Sequence, residues 1–183
     1  MPARTPYQTL LGERYDLLHS HVRAAHEAIT AEGRVDVVHG THLLTPFFIR
    51  TMKLPAAGQS SPVRLQVVID HAPADGPDAI MMWMRQIGAT RLDTRQFARR
   101  GQLVETAGPG SVEFRLRADE GVLVYESERC RFLGVPMPRA LSPAVRARVS
   151  PSTDGWHVHV VIEWRRHLIC TYGGEMRRVT RAS

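Results

Sequence analysis

The sequence predicts an α+β protein: a strongly curved antiparallel sheet or partial barrel of about nine to ten strands, with N-terminal helices packed on or across it. Three observations predict it. An apolar repeat in steps of four and three opens the chain, which is the period of a helix. From Val63 the period changes to two. The period-two runs then follow one another at near-hairpin spacing, with no helical stretch between them to carry parallel crossovers.

In chain order, Leu11, Tyr15, Leu18, Val22, Ala25 and Ile29 share one stripe, and their spacing predicts a helix over about 10–31 with Gly33 as its left-handed cap. His26 lies at the edge of that stripe, while His19 and His21 fall off it. A strand is expected over 34–39. A short helix follows, with Thr45 as cap, Pro46 in its first position, and Phe48 and Met52 one turn apart on a shared face. Residues 58–62 read as a loop and 72–77 as a turn. Strands are expected from Val63 to Ile69 and then over 79–87, 92–99, 102–106, 112–117, 122–133, 145–149, 156–165 and 167–172. The 183 residues make one domain: a helical start at 10–54, an antiparallel sheet at 63–173 and a short tail at 174–183.

Composition narrows the function classes. A hydrophobic fraction of 43% excludes a disordered or collagen-like polymer. Residues 1–84 carry 7 basic and 8 acidic side chains and residues 85–183 carry 17 and 10, so the second part holds +7 of a formal net charge of +6. Those arginines are spread over several strands and a bend, with no helix-turn-helix, zinc finger or aromatic RNP-like strand, so no specific nucleic-acid partner is expected. Cys130 and Cys170 are too few for a disulfide scaffold and lack CxxC spacing. The N-terminus shows no signal peptide, and no apolar run approaches the roughly 18 residues of a membrane span, so a cytoplasmic protein without membrane insertion is expected. No nucleophile elbow, P-loop, dinucleotide fingerprint or zincin motif is present, and no cofactor is expected.

Several residue groups carry candidate chemistry. Trp83 and Arg85 share a strand face with Met81 and Ile87, and an arginine on an apolar face is costly unless it is paired or ends in a polar pocket. Tyr125, Ser127, Arg129 and Arg131 share a face of their strand. On the strand around Val158, His157, His159 and Glu163 face one way, a partial match to a cupin metal motif. Trp156, Val158, Val160, Ile162 and Trp164 form the opposite, apolar face. The three polar groups are therefore expected to face water, and no metal is expected.

An ordered set of landmarks resembles a bacterial family of unknown function whose members occur alone or fused behind saccharopine-dehydrogenase-like reductase domains. The landmarks are Tyr15-Asp16-Leu17-Leu18 reaching His26, Gly33-Arg34-Val35 with Gly40, Lys53-Leu54-Pro55 with Pro62-Val63, Trp83-Met84-Arg85-Gln86-Ile87-Gly88 and Gly101-Gln102-Leu103-Val104-Glu105. The most specific is Arg131-Phe132-Leu133-Gly134-Val135-Pro136-Met137-Pro138, continuing through Arg139-Ala140-Leu141-Ser142-Pro143. Ile87 and Trp164-Arg165-Arg166-His167 depart from the pattern. The resemblance implies a fold and no established reaction.

The leading expectation is a pocket protein that binds an apolar or amphipathic, lipid-like or polyketide-like molecule in a sheet cavity. Its ligand-binding candidates are Phe48, Met52, Met81, Trp83, Arg85 and Tyr125. The alternative is a cofactor-independent cyclase or isomerase in the same cavity, with Arg85, Tyr125 and Arg129 as catalytic candidates. A third reading is a partner-docking module, with a second copy of the chain or a reductase as partner.

Overall fold

The computed structural model describes residues 4–70 and 79–179. The turn expected at 72–77 lies outside them. Ten long strands run β1 (Ile29–His39), β2 (Gly58–Asp70), β3 (Ile80–Ile87), β4 (Thr90–Arg99), β5 (Gln102–Ala107), β6 (Gly110–Asp119), β7 (Val122–Phe132), β9 (Ala144–Ser152), β10 (Gly155–Trp164) and β11 (His167–Arg178), with a two-residue β8 (Val135–Pro136) paired to β7. Each long strand pairs antiparallel with the next, and β11 returns to pair with β1 from Ala31↔Arg178 to His39↔Cys170. The ring is closed. The curved antiparallel sheet expected from the sequence is thus a closed ten-strand barrel, and its helices are too short to make a second layer.

Closure needs β1 and β11 to come unusually close. A Cβ on Gly33 would lie 2.1 Å from the Glu175 carbonyl oxygen, and one on Gly174 would lie 2.0 Å from that of Arg34. Both glycines are strand residues at the seam, so Gly33 serves close approach and caps no helix.

The single helix expected over 10–31 is three pieces: α1 (Pro6–Leu11), a 3-10 segment (Gly12–Leu17) and α2 (Ser20–Ala24). Gly12 turns the chain at φ +55°, Leu18 is extended, and the His19 side chain accepts from the His21 N–H to start α2. Ile29 already belongs to β1. The apolar stripe is nonetheless buried throughout, from Leu11 to Ile29. A continuous helix of that length would run about 33 Å, whereas a ten-strand barrel is only about 20 Å across. Breaking the helix lets the same stripe fold over one barrel end as a plug. Its anchors include His19 N–H to the Gly121 carbonyl and Tyr7, which is fully buried.

At the other end, α3 (Thr45–Thr51) lies against β11, with Phe48 buried beside Trp164. Leu44 occupies the cap position expected for Thr45, whose side chain is itself buried. The loop expected at 58–62 is the start of β2: the Ser60 N–H donates to Asp36 of β1, and Pro62 still pairs with Arg34. The expected tail likewise begins inside β11.

The seam gives a stability prediction. Gly174→Ala is expected to lower the free energy of unfolding by about 3 kcal/mol, the upper range for overpacking, read as a shift of the denaturation midpoint. Gly134→Ala, at a turn glycine (φ +78°) with nothing within 4 Å of its Cβ position, tests backbone strain without a clash and should cost about 1 kcal/mol.

Candidate functional site: a barrel cavity with a buried polar wall

Ten strands enclose more space than their side chains fill, because a ring of about eight is the size that inward residues just pack. The surplus is a cavity of about 940 Å³. Its walls are mostly apolar, with Val35, Leu65, Val149, Val160, Ile162 and Phe114 among them. Polar groups gather on the wall made by β3, β4 and β5, where inward positions hold Trp83 and Arg85, then Thr94 and Gln96, then Glu105.

Arg85 answers the question its sequence position raises: its guanidinium donates to Glu105 Oε1 at 2.9 Å and lies 5.0 Å over the Trp83 ring. The two charged side chains are 18% and 19% exposed, and what they are exposed to is the cavity they line. Burial alone would push the Glu105 carboxyl up. The Arg85 guanidinium overcomes this and, with Thr94 and Gln96 acting in the same direction, holds it below the usual carboxylate range. Burial likewise opposes the charge on Arg85, and Glu105 reverses that effect. Both groups are therefore ionised and compensate each other. Among the described residues the Trp83 indole N–H, buried in the same wall, has no hydrogen-bond partner.

The cavity floor is a second polar group that ties the plug to the barrel. His26 Nδ1 lies 2.7 Å from the Val22 carbonyl oxygen and Nε2 lies 2.6 Å from the Tyr125 hydroxyl. Burial lowers the His26 pKa to about 4, against a raising effect from the Val22 carbonyl, and the Arg85 charge lowers it further. His26 is thus neutral: Nδ1–H donates to the carbonyl and Nε2 accepts from Tyr125. Tyr7 donates to Gln96 Oε1 and stands 3.1 Å from the Tyr125 oxygen. Burial pushes the phenols of Tyr125 and Tyr7 well above their ordinary value. Tyr172, also on the cavity wall, is pushed up to about 12 by burial.

Of the sequence candidates, Phe48, Met52, Trp83, Arg85 and Tyr125 line the cavity. Met81 does not: it is fully buried and pairs with Ile69 and Gln96 at the plug end. Arg129 is outside the barrel. The register of β6 and β7 shifts between Glu113 and Phe114, which switches the inward set of β7 from Tyr125 to Cys130. Arg129 is left on the outer wall 3.9 Å from Glu113, whose carboxylate also takes Arg99 and Arg131 at 2.9 Å each. His157, His159 and Glu163 lie on the outer wall of β10, where Glu163 is held by Arg146 and His159 Nε2 is 3.3 Å from the Thr171 hydroxyl. Among the described residues no three His, Cys, Asp or Glu side chains are grouped as metal ligands.

Glu105, Gln96, Thr94, Tyr172 and His26 are site residues that the sequence reading did not assign. One signal was available: an inward arginine requires an inward carboxylate, and Glu105 shares its strand face with Leu103 and Ala107.

Fold and site together define a closed up-and-down β-barrel, plugged at one end, with an internal cavity of small-molecule size. The chain belongs to the family described as a domain of unknown function (DUF4166), whose model matches residues 14–176. No curated protein and no solved structure matches it. Among the described residues no helix is long and apolar enough to cross a membrane.

Two predictions follow from the polar groups. With His26 at about 4 in the folded state and near 6.5 unfolded, the unfolded chain takes up the proton first as pH falls. Its contribution to stability is intact above pH 6.5 and is lost progressively down to about 4, by about 3 kcal/mol. Chemical denaturation across that window should show a stability difference between wild type and His26→Phe that narrows as pH falls. Separately, Arg85→Met strands a buried carboxylate and should cost about 3 kcal/mol, much of it recovered in Arg85→Met/Glu105→Leu.

Proposed function

We propose that this barrel binds a small amphipathic molecule, with its hydrocarbon body among the apolar walls and an uncharged oxygen against Arg85, Glu105 and Trp83. One observation carries the reading: a cavity of about 940 Å³ contains a self-neutralised ion pair beside an unpartnered indole N–H. That volume falls at the upper end of the roughly 300–1,000 Å³ of small-molecule sites. Arg85 makes a single hydrogen bond among the described residues, to Glu105, so most of its five N–H donors remain for a ligand. Because Glu105 already compensates the guanidinium, a hydroxyl or carbonyl fits the wall better than a carboxylate, which would add an uncompensated buried charge. The ligand class is therefore a lipid-like or polyketide-like alcohol or ketone. We also propose a cytoplasmic location and, as the family resemblance implies, a reductase as the neighbouring activity.

A second reading, a cofactor-independent isomerase or cyclase acting in the same space, is favoured by the neutral His26 joined to Tyr125 at the cavity floor. In this reading a substrate proton passes to the Tyr125 oxygen as the tyrosine's own proton moves to His26 Nε2, and the reverse shift returns a proton to a different atom of the substrate. Product formation in the wild type that disappears in Tyr125→Phe, with binding retained, would establish it.

Isothermal titration calorimetry with dodecanol and dodecanoate tests the binding reading. The alcohol should bind about tenfold more tightly than the carboxylate at pH 7. Ala147→Trp, which fills the cavity from its wall, should abolish both. Tighter binding of the carboxylate, or binding unaffected by Ala147→Trp, would contradict the proposal.

A further inference from the structure

The barrel end opposite the plug has a surface unlike the rest of the molecule. Leu43, Phe47, Phe132, Leu133, Val135 and Leu141 are all large, apolar and exposed there, Leu43 at 90% and Leu133 at 73%. They come from three separate connections: the turn into α3 and its first residues, the β7–β8 turn, and the bend before β9. Phe47 and Phe132 also line the cavity, so these side chains ring its mouth.

Charge at this end is one-sided. Residues 37–69, 129–150 and 164–174, which build α3, the β7–β9 connection and the β10–β11 turn, contain no aspartate or glutamate. Arg50, Lys53, Arg139 and Arg166 lie in those stretches, and none makes an ion pair among the described residues. Of the acids that border these stretches, Asp93 and the half-buried Glu163 are held by Arg91 and Arg146, and Asp36 accepts from the Ser60 N–H of β2. The plug end instead mixes signs, with Glu13, Asp16, Glu120 and Asp154 near Arg14, Arg23 and Arg100.

We propose that the mouth of the barrel docks on an anionic lipid bilayer, with the apolar tips in the headgroup–acyl boundary and the unpaired cations level with the lipid phosphates. Apolar tips among basic residues on one face are the composition of interfacial membrane binders. A second copy of the chain fits less well, because a two-fold contact through this face would oppose two sets of uncompensated cations. Docking in this way opens the cavity toward the bilayer, where an amphipathic ligand resides. It goes beyond the cavity reading and is measured apart from it.

Flotation of the full chain with vesicles of phosphatidylcholine, alone or mixed with phosphatidylglycerol, tests the proposal. Binding to the mixed vesicles should exceed binding to phosphatidylcholine alone by tenfold or more and should weaken with salt. Leu43→Ser/Leu133→Ser and Arg139→Gln/Arg166→Gln should each reduce it at least tenfold. Leu17→Ser, an exposed apolar position at the plug end (69%), should leave it unchanged. Thermal melts check that each variant is folded, which is the expected result at these surface positions. Failure of the wild type to float, equal loss in Leu17→Ser, or a Leu133-dependent dimer in place of vesicle binding would overturn the proposal. Dodecanol titration of the same variants reads the cavity alone, so loss of one property without the other separates the two proposals.

Discussion

The pairing of β1 with β11 is the constraint on which the rest of the molecule depends. Every other long-strand pairing joins strands that follow one another in the chain. The seam joins the two ends of the fold. It forms only because Gly33 and Gly174 let the backbones approach at distances that a Cβ would forbid. Once closed with ten strands, the ring is too wide to be filled by its own inward side chains. It must be plugged, left hollow, or both. The N-terminal segments plug one end, and the remaining space is the cavity.

A hollow barrel makes its inward polar residues informative. In a packed core, Arg85 and Glu105 would cost more in lost hydration than their attraction returns, and apolar residues of similar volume would serve stability as well. Here they stand at the cavity edge, with Arg85 over the Trp83 ring and Glu105 in register with Gln96 of the next strand. The floor network of His26, Tyr125, Tyr7 and Gln96 continues from the plug to that wall. Plug position and wall geometry are therefore linked through Gln96, which meets both Tyr7 and Glu105.

Much of the fold was legible because it is local. Alternation such as Val63, Leu65, Val67 or Trp156, Val158, Val160 reports strands directly, and near-hairpin spacing reports antiparallel order. Closure was not legible, since no local pattern says that Gly33 and Gly174 meet. The stripe from Leu11 to Ile29 reported burial correctly, but its continuity as one helix was lost to Gly12 and the extended Leu18. In β7 the polar run Glu126-Ser127-Glu128-Arg129 hides the register shift that turns Arg129 outward. On the site, Trp83 and Arg85 announced themselves as an arginine on an apolar face. Glu105, in a six-residue strand, reads as solvent-facing until its partner is known.

The central claim is that the polar wall receives a ligand oxygen, and the Trp83 indole is the reporter placed to show it. Proton–nitrogen NMR of the three indoles during addition of dodecanol measures this directly. Trp83 Nε1–H, unpartnered in the free protein, is predicted to move strongly downfield as it gains an acceptor. Trp164, whose Nε1–H already donates to the Ala140 carbonyl at 3.0 Å, should stay in place. Saturable binding that leaves the Trp83 resonance unmoved, or that shifts Trp164 instead, would contradict the account.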